Sequence, residues 1–348
     1  MLRPLTYKYH IVSRGQSFVN YLFLDVIFNN TVLKNNLSFS TTLVIGKYSS
    51  IISSFGNEYL SSVNDAFDIC KGLNSEQLKL LRRAVHHNNK IEKLCNGELV
   101  PVTYREINKI DTQLSIEIQK ICGRLYKYII DRQPFYSVYG RKGDFYKEII
   151  GEETVCSCCG VGTMLSKHQT PVGALDHYFP INHYPFSSIN FKNLVPICDI
   201  CNSKYKTQKD TLFSIKVKTR KGRKIQNIKR FRAFYPYSTD YEMIEVSVSI
   251  TNDDLSNLTK DDIIIDYSLL NYDEEIENWK RLFNVAEAHK ATLLGNESRI
   301  FVNQQFDIIQ NLGLDFDDYY NLISNNLFYN KNFIRLPYLR EFNRINNA

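Results

Sequence analysis

The chain has 348 residues, 43% of them hydrophobic, and 43 Lys and Arg oppose 37 Asp and Glu for a formal net charge of +6. That length exceeds one average domain, so two or three compact units are expected, and the apolar content excludes a disordered chain. No run approaches the roughly 20 apolar residues of a membrane helix, and the opening MLRPLTYKYHIV has no signal-peptide core, so a soluble cytoplasmic protein is expected.

Residues up to about 60 carry the aromatic and β-branched runs YLFLDVIF and STTLVIGKYSS, with polar turns at Asn29-Asn30 and Asn35-Asn36. These runs read as strands of a small sheet with helical cover. The pattern changes at Asn74. SEQLKLLRRAVHHNNKIEKLC places Leu78, Leu81, Val85 and Ile91 at helical spacing after an Asn74 or Ser75 cap. His86 and His87 are neighbours on that helix and diverge by about 100°, which makes them a surface pair rather than a metal site. Residues 104–131 form a second long helical pattern, with Ile107, Ile110, Leu114, Ile118, Ile121, Leu125 and Ile129 on one side and Cys122 in the same stripe. Pro134 and Gly140 break it, residues 144–150 form a short helix, and a boundary near Gly151 closes an N-terminal α/β then helical region, 1–150.

Cys156 and Cys159 form one C-x-x-C, and Cys198 and Cys201 form a second. Zinc takes four soft ligands in a tetrahedron, and each such knuckle supplies two thiolates. Paired C-x-x-C spacing without an export signal favours zinc over a disulfide set, and eight cysteines in all suit a reducing compartment. Gly160 fits the positive-φ turn that follows a knuckle. Cys158 is read as a non-ligand, with a C-x-C turn using it in place of Cys159 as the alternative. Between the pairs, a strand-like run at 172–175 leads into Asp176-His177, and 193–197 is a second short strand. From Asp199 the sequence turns helical, with Asn202, Lys204, Lys206 and Lys209 within about two turns. Strand, strand and helix pinned by zinc would set Asp176, His177 and Asn202 on one face.

Those residue types suit phosphodiester hydrolysis. A neutral imidazole such as His177 is a suitable base near pH 7. Asp176 and Asn202 offer hard oxygens to a divalent ion, Mg2+ or Mn2+, that keeps several waters and acts on a phosphate as a Lewis acid. The Asn193 amide can bridge the strand and the connecting loop and so fix the His177 ring. The order DHYFP, NLVPIC, CNSKYK resembles the HNH (His-Asn-His) endonuclease family, in its zinc-stabilised ββα-metal subset, over roughly 55 residues. The resemblance implies that His177 is the first His, Asn193 the central Asn and Asn202 the third position. It also implies hydrolysis of phosphodiester bonds in DNA, in bacterial restriction or anti-phage defence.

The segment that follows is basic. Lys204, Lys206, Lys209, Lys216, Lys218, Arg220, Lys221, Arg223 and Lys224 are the expected nucleic-acid contacts, with Lys206 on the Asn202 face of the helix. Phe213, Ile215 and Val217 alternate with Ser214, Lys216 and Lys218, and Gly222 lies in a turn. Such a hairpin suits double-stranded DNA, whose major groove admits a two-stranded ribbon and whose phosphates attract cations. The nuclease domain with this hairpin spans 151–237. Residues 238–348 begin acidic and then carry helical patterns at 274–294, 301–311 and 315–327. They read as a scaffold or partner-binding unit placed away from the substrate, and a protein partner or homo-oligomer is expected through the flanking regions. The expected fold class is α+β: a ββα-metal unit pinned by four cysteines, an α/β N-terminal flank and a mostly helical C-terminal one. A zinc-ribbon nucleic-acid binder or regulatory subunit without catalysis is the second reading. It explains the cysteines and the hairpin and leaves the Asp176, His177 and Asn202 pattern to coincidence.

Overall fold

The aromatic and β-branched residues at the start of the chain fold as helix, not sheet. A computed structural model describes residues 1–220 and 223–347. Phe18, Val19, Leu22, Phe23, Val26 and Ile27 are all buried. Their spacing in pairs four apart lines one side of a continuous helical run, Gln16–Tyr21 and then Leu22–Ile27. The second part is wound wider, with Phe28 N–H donating five residues back to the Phe23 carbonyl at 2.8 Å. Asn29, expected in a turn, instead caps helix Asn30–Asn35 by accepting from Thr31 N and Val32 N. Burial of both rows outweighs the modest strand preference of the same residues. The expected N-terminal sheet is therefore replaced by helices, and none of the described residues before 151 forms a strand.

Helix Ser75–Asn88 begins as its sequence requires, with Asn74 and Gln77 forming a reciprocal capping box. Its Arg82 guanidinium donates to the Leu24 and Phe28 carbonyls and so closes the end of the wide-wound segment. The long pattern over 104–131 is divided. Helix Tyr104–Asn108 ends, Asp111 accepts from Leu114 N at 2.7 Å, and helix Thr112–Lys127 starts anew. Pro134 does not break a helix; it sits in the first turn of helix Gln133–Tyr139, where its missing N–H costs nothing.

The central segment contains β1 (Leu175–His177) and β2 (Leu194–Pro196), antiparallel, with Asp176 opposite Val195 and His177 opposite Leu194. A single wide turn of helix follows at Cys201–Lys206, with Thr207 N donating to the Asn202 carbonyl. Next come the hairpin β3 (Phe213–Arg220) and β4 (Arg223–Arg230) and the antiparallel pair β5 (Glu245–Ile250) and β6 (Ile263–Ser268). The last pair belongs to the C-terminal part, which the sequence pattern suggested to be mostly helical. Helices Asp273–Phe283, Val285–Leu294, Asn296–Leu312, Phe316–Ile323 and Asn332–Asn346 complete it. Asn284, in the left-handed conformation, divides the first two of these.

One core joins these regions. Phe186, in the loop between β1 and β2, packs edge-on against Phe23 and Phe28 of the N-terminal helices. Among the described residues no helix is long and apolar enough to cross a membrane.

Candidate functional site

The Sγ atoms of Cys156, Cys159, Cys198 and Cys201 all lie within 4.8 Å of one another, and all four residues are buried. Cys159 Sγ and Cys198 Sγ are 3.9 Å apart. Four thiolates at the usual Zn–S distance stand about 3.8 Å from one another, whereas a disulfide needs about 2 Å. Backbone amides point at the sulfurs: Gly162 N lies 3.3 Å from Cys159 Sγ and Cys198 N lies 3.4 Å from Cys156 Sγ. Burial pushes the Cys156 thiol well above its ordinary pKa, a cost that a bound cation would offset by pairing with the thiolate. The cluster fits a structural zinc ion. Gly160 has φ +73°, as the knuckle requires, and a Cβ on Gly162 would overlap Cys198 Sγ.

Cys158 is buried but takes no place among the four sulfurs. Its carbonyl does the holding. Trp279, the chain's single tryptophan, donates its indole N–H to the Cys158 carbonyl at 2.8 Å, and Leu2 N donates to the same oxygen at 3.2 Å. His289 Nε2 donates to the Cys159 carbonyl at 2.7 Å, while its Nδ1 accepts from the Tyr267 hydroxyl at 2.8 Å. The C-terminal region thus grips the first knuckle through two buried side chains that nothing in the local sequence marks as partners. A lone tryptophan was the one available signal.

The second element of the site is a pocket of about 220 Å³ lined by Asp176, His177 and Asn202 together with Tyr126, Lys127 and Gln208. The three residues expected to share a face all line this pocket. His177 ends β1, and its Nε2 lies 2.8 Å from the Ser188 carbonyl, an acceptor only. That contact requires the proton on Nε2 and leaves Nδ1 as the basic nitrogen. Tyr126 packs edge-on against the ring with centroids 4.3 Å apart. Burial, only partly offset by the Ser188 carbonyl and the Asp176 charge, lowers the His177 pKa to about 4.

Asn193 is fully buried and ties the loop together. Phe179 N donates to its Oδ1 at 2.7 Å, and its Nδ2 donates to the carbonyls of Phe179 and Ser187. Ser187 precedes the residue whose carbonyl holds the His177 ring, so the amide sets that ring through the backbone and does not face the pocket.

Lys206 departs from expectation. Instead of reaching outward for a phosphate, it is 0% exposed. Its Nζ stands 2.8 Å from Asp176 Oδ2 and 3.1 Å from Oδ1, and donates to the His177 carbonyl at 2.7 Å. Its ammonium is held inside by that carboxylate and carbonyl, which offset the cost of burying the charge. Lys209 is likewise committed: its ammonium donates to the Arg281 and Leu282 carbonyls at the end of helix Asp273–Phe283. Lys204 and Lys216 remain exposed. Lys218, Arg220, Arg223 and Lys224 lie in β3 and β4, and Lys221 and the expected turn at Gly222 lie outside the described residues. At the hairpin base, Lys229 pairs with Glu277 at 2.9 Å and Arg232 with Glu275 at 2.9 Å. The acidic helix therefore abuts the basic hairpin and is not held apart from it.

Two oxygen-bearing side chains in the pocket lack a full set of partners. Asp176 Oδ2 is buried and lacks a well-directed hydrogen bond, and the Asn202 amide bonds to no other described side chain or backbone group. A carboxylate and an amide thus line one pocket, with the Lys206 ammonium already 2.8 Å from the carboxylate oxygen. No protein-family model, no curated protein and no solved structure matches the chain.

Proposed function

We propose that the chain is a metal-dependent endonuclease of the HNH kind, hydrolysing phosphodiester bonds in DNA. The observation that carries this reading is the relay from Asn193 through the 187–188 backbone to His177, beside a pocket that also holds Asp176 and Asn202. A buried amide spent on orienting one imidazole is costly unless that orientation matters. In this role His177 Nδ1 takes the proton of an attacking water while Nε2–H stays on the Ser188 carbonyl. Burial keeps the ring neutral at pH 7 and makes it a weaker base than a free imidazole, so the proton it takes must be passed on quickly. Asp176 and Asn202 would hold Mg2+ or Mn2+, which supplies Lewis-acid stabilisation of the phosphate charge. Lys206 keeps the Asp176 carboxylate from rotating away, and the four cysteines, with zinc, fix the helix that brings Asn202 to β1.

The Asp176–Lys206 ion pair also favours the non-catalytic reading, in which the carboxylate is a structural partner and the unit only binds nucleic acid. Plasmid nicking separates the two. With Mg2+ or Mn2+ the wild-type protein is expected to nick supercoiled DNA, and His177→Ala to bind it without nicking. Equal nicking by both proteins removes His177 from the chemistry, and no nicking by either leaves the binding reading.

A further inference from the structure

We infer that the cavity at the root of the β3–β4 hairpin receives one unpaired nucleobase of the substrate strand. The inference rests on the nuclease reading and adds a substrate conformation to it. The cavity has a volume of about 390 Å³, within the range of small-ligand sites. Its position is the first argument. Consecutive residues line the two cavities, Ile181 the pocket of Asp176 and His177, and Asn182 this one. Asn182 Nδ2 donates to Gln208 Oε1 at 2.9 Å, and His183 Nε2 meets the Gln208 carbonyl at 3.1 Å. Gln208 itself lines the catalytic pocket. A strand held at one cavity passes the other.

The second argument is the chemistry of the walls. Phe213, Ile215 and Ile228 form an apolar side, and Ile215 and Ile228 face each other across the hairpin while 55% and 44% exposed. Apolar side chains left open beside a cavity are a platform on which a planar ring gains area at no cost in sequence preference. One guanidinium, Arg105, is outnumbered by the carboxylates of Glu106 and Asp210, so an anionic ligand is disfavoured there. Those carboxylates are already spent: Asp210 accepts from Leu212 N and Phe213 N, and Glu106 from Thr103 N. Among the described residues the Asn108 amide and the Asn182 Oδ1 have no protein partner, and both residues line the cavity. They offer the mixed donors and acceptors that a base edge needs and that an aliphatic ligand would leave unpaired.

The third argument is alternation. Lys216 lies between Ile215 and Val217 on β3, so its ammonium is on the face opposite the apolar one. Such a strand meets bases with one face and phosphates with the other.

The test uses the full-length zinc-loaded chain carrying His177→Ala, so that the probe is not cut. The probes are a single strand of about 12 nucleotides, within the span of single-strand sites, with a central 2-aminopurine, and the same strand fully paired. The single strand is expected to bind about tenfold more tightly than the duplex, the size of one base-stacking contact, and its 2-aminopurine emission to change on binding. Adding Ile215→Asn and Ile228→Asn, both at exposed positions, is expected to abolish that preference and the emission change while zinc content and circular dichroism stay as in the parent. Unchanged single-strand affinity in this variant overturns the base pocket and leaves the nuclease reading intact. Failure of both probes to bind at low salt overturns both readings, and a duplex that binds as tightly as the single strand overturns the base pocket alone.

Discussion

Lys206 Nζ and the Asp176 carboxylate, 30 residues apart, meet at 2.8 Å with the lysine fully buried and the aspartate nearly so. This pair joins the helical turn after the second zinc knuckle to the end of β1. It also places a positive charge beside the carboxylate that the proposed catalytic ion would use.

Removing one member of such a pair strands the other charge in a dry site. Lys206→Met should therefore destabilise the protein by about 3–5 kcal/mol, read as a lower urea midpoint. The double variant Asp176→Asn with Lys206→Met should recover most of that loss, because neither charge is left alone. A single variant as stable as wild type would show that the lysine is free in solution and available to a phosphate after all.

The metal cluster makes a sharper distinction between neighbours. Cys198→Ser should lose zinc and, with it, the fold of the central unit, since a structural zinc site contributes on the order of 10 kcal/mol. Cys158→Ser should keep one zinc per chain, because its side chain is outside the sulfur cluster and only its carbonyl is used. Gly162→Ala should behave like the ligand change, as the added methyl would occupy the space of Cys198 Sγ. Zinc content by atomic emission after gel filtration reads all three.

These residues divide by how far their partners lie along the chain. The two C-x-x-C pairs and the short strands near 175 and 194 were legible because each is set by short-range spacing. The helix cap, read as Asn74 or Ser75 and found at Asn74, was legible for the same reason. The fate of Lys206 and Lys209 was not. A lysine in a basic run looks solvated until a buried carboxylate 30 residues back takes one and a distant helix end receives the other. The N-terminal helices were misread because Phe, Val and Ile favour strands locally, while their burial in pairs four apart is a tertiary outcome. His289 and Trp279 act from 130 and 121 residues beyond the carbonyls they hold.

Asn193 should act on rate without touching substrate. Asn193→Ala, which frees the Phe179 and Ser187 backbone groups it now holds, should lower nicking about 10–100-fold, the usual cost of losing an orienting contact. Zinc content should be unchanged, and DNA affinity should stay within about twofold, since the amide lies off the binding surface. A proportional loss of affinity and rate would instead indicate collapse of the loop.

Electrostatic binding should follow exposure rather than position in the basic run. Lys216→Ala should weaken DNA binding and reduce the slope of log affinity against log salt by about one, because its ammonium is in solvent. Lys209→Ala should leave that slope unaltered, as its ammonium is held by the Arg281 and Leu282 carbonyls. Equal slopes for wild type and Lys216→Ala would remove that face of the hairpin from the phosphate path.

His289 gives the grip on the first knuckle a pH dependence. Burial lowers its pKa from 6.5 to about 4 in the folded chain. Above pH 6.5 the ring is neutral folded or unfolded and costs nothing. As pH falls from 6.5 to 4 the unfolded chain gains a proton that the folded one refuses, and stability is lost, by about 3 kcal/mol at most. Below pH 4 both states are protonated and the loss levels off. Zinc release at low pH adds its own loss, so the comparison is with His289→Gln, which shares the zinc and lacks the titrating ring. Wild type should lose more urea stability than the variant between pH 7 and 5, and parallel losses would mean that the ring is protonated in the folded protein or that solvent reaches it.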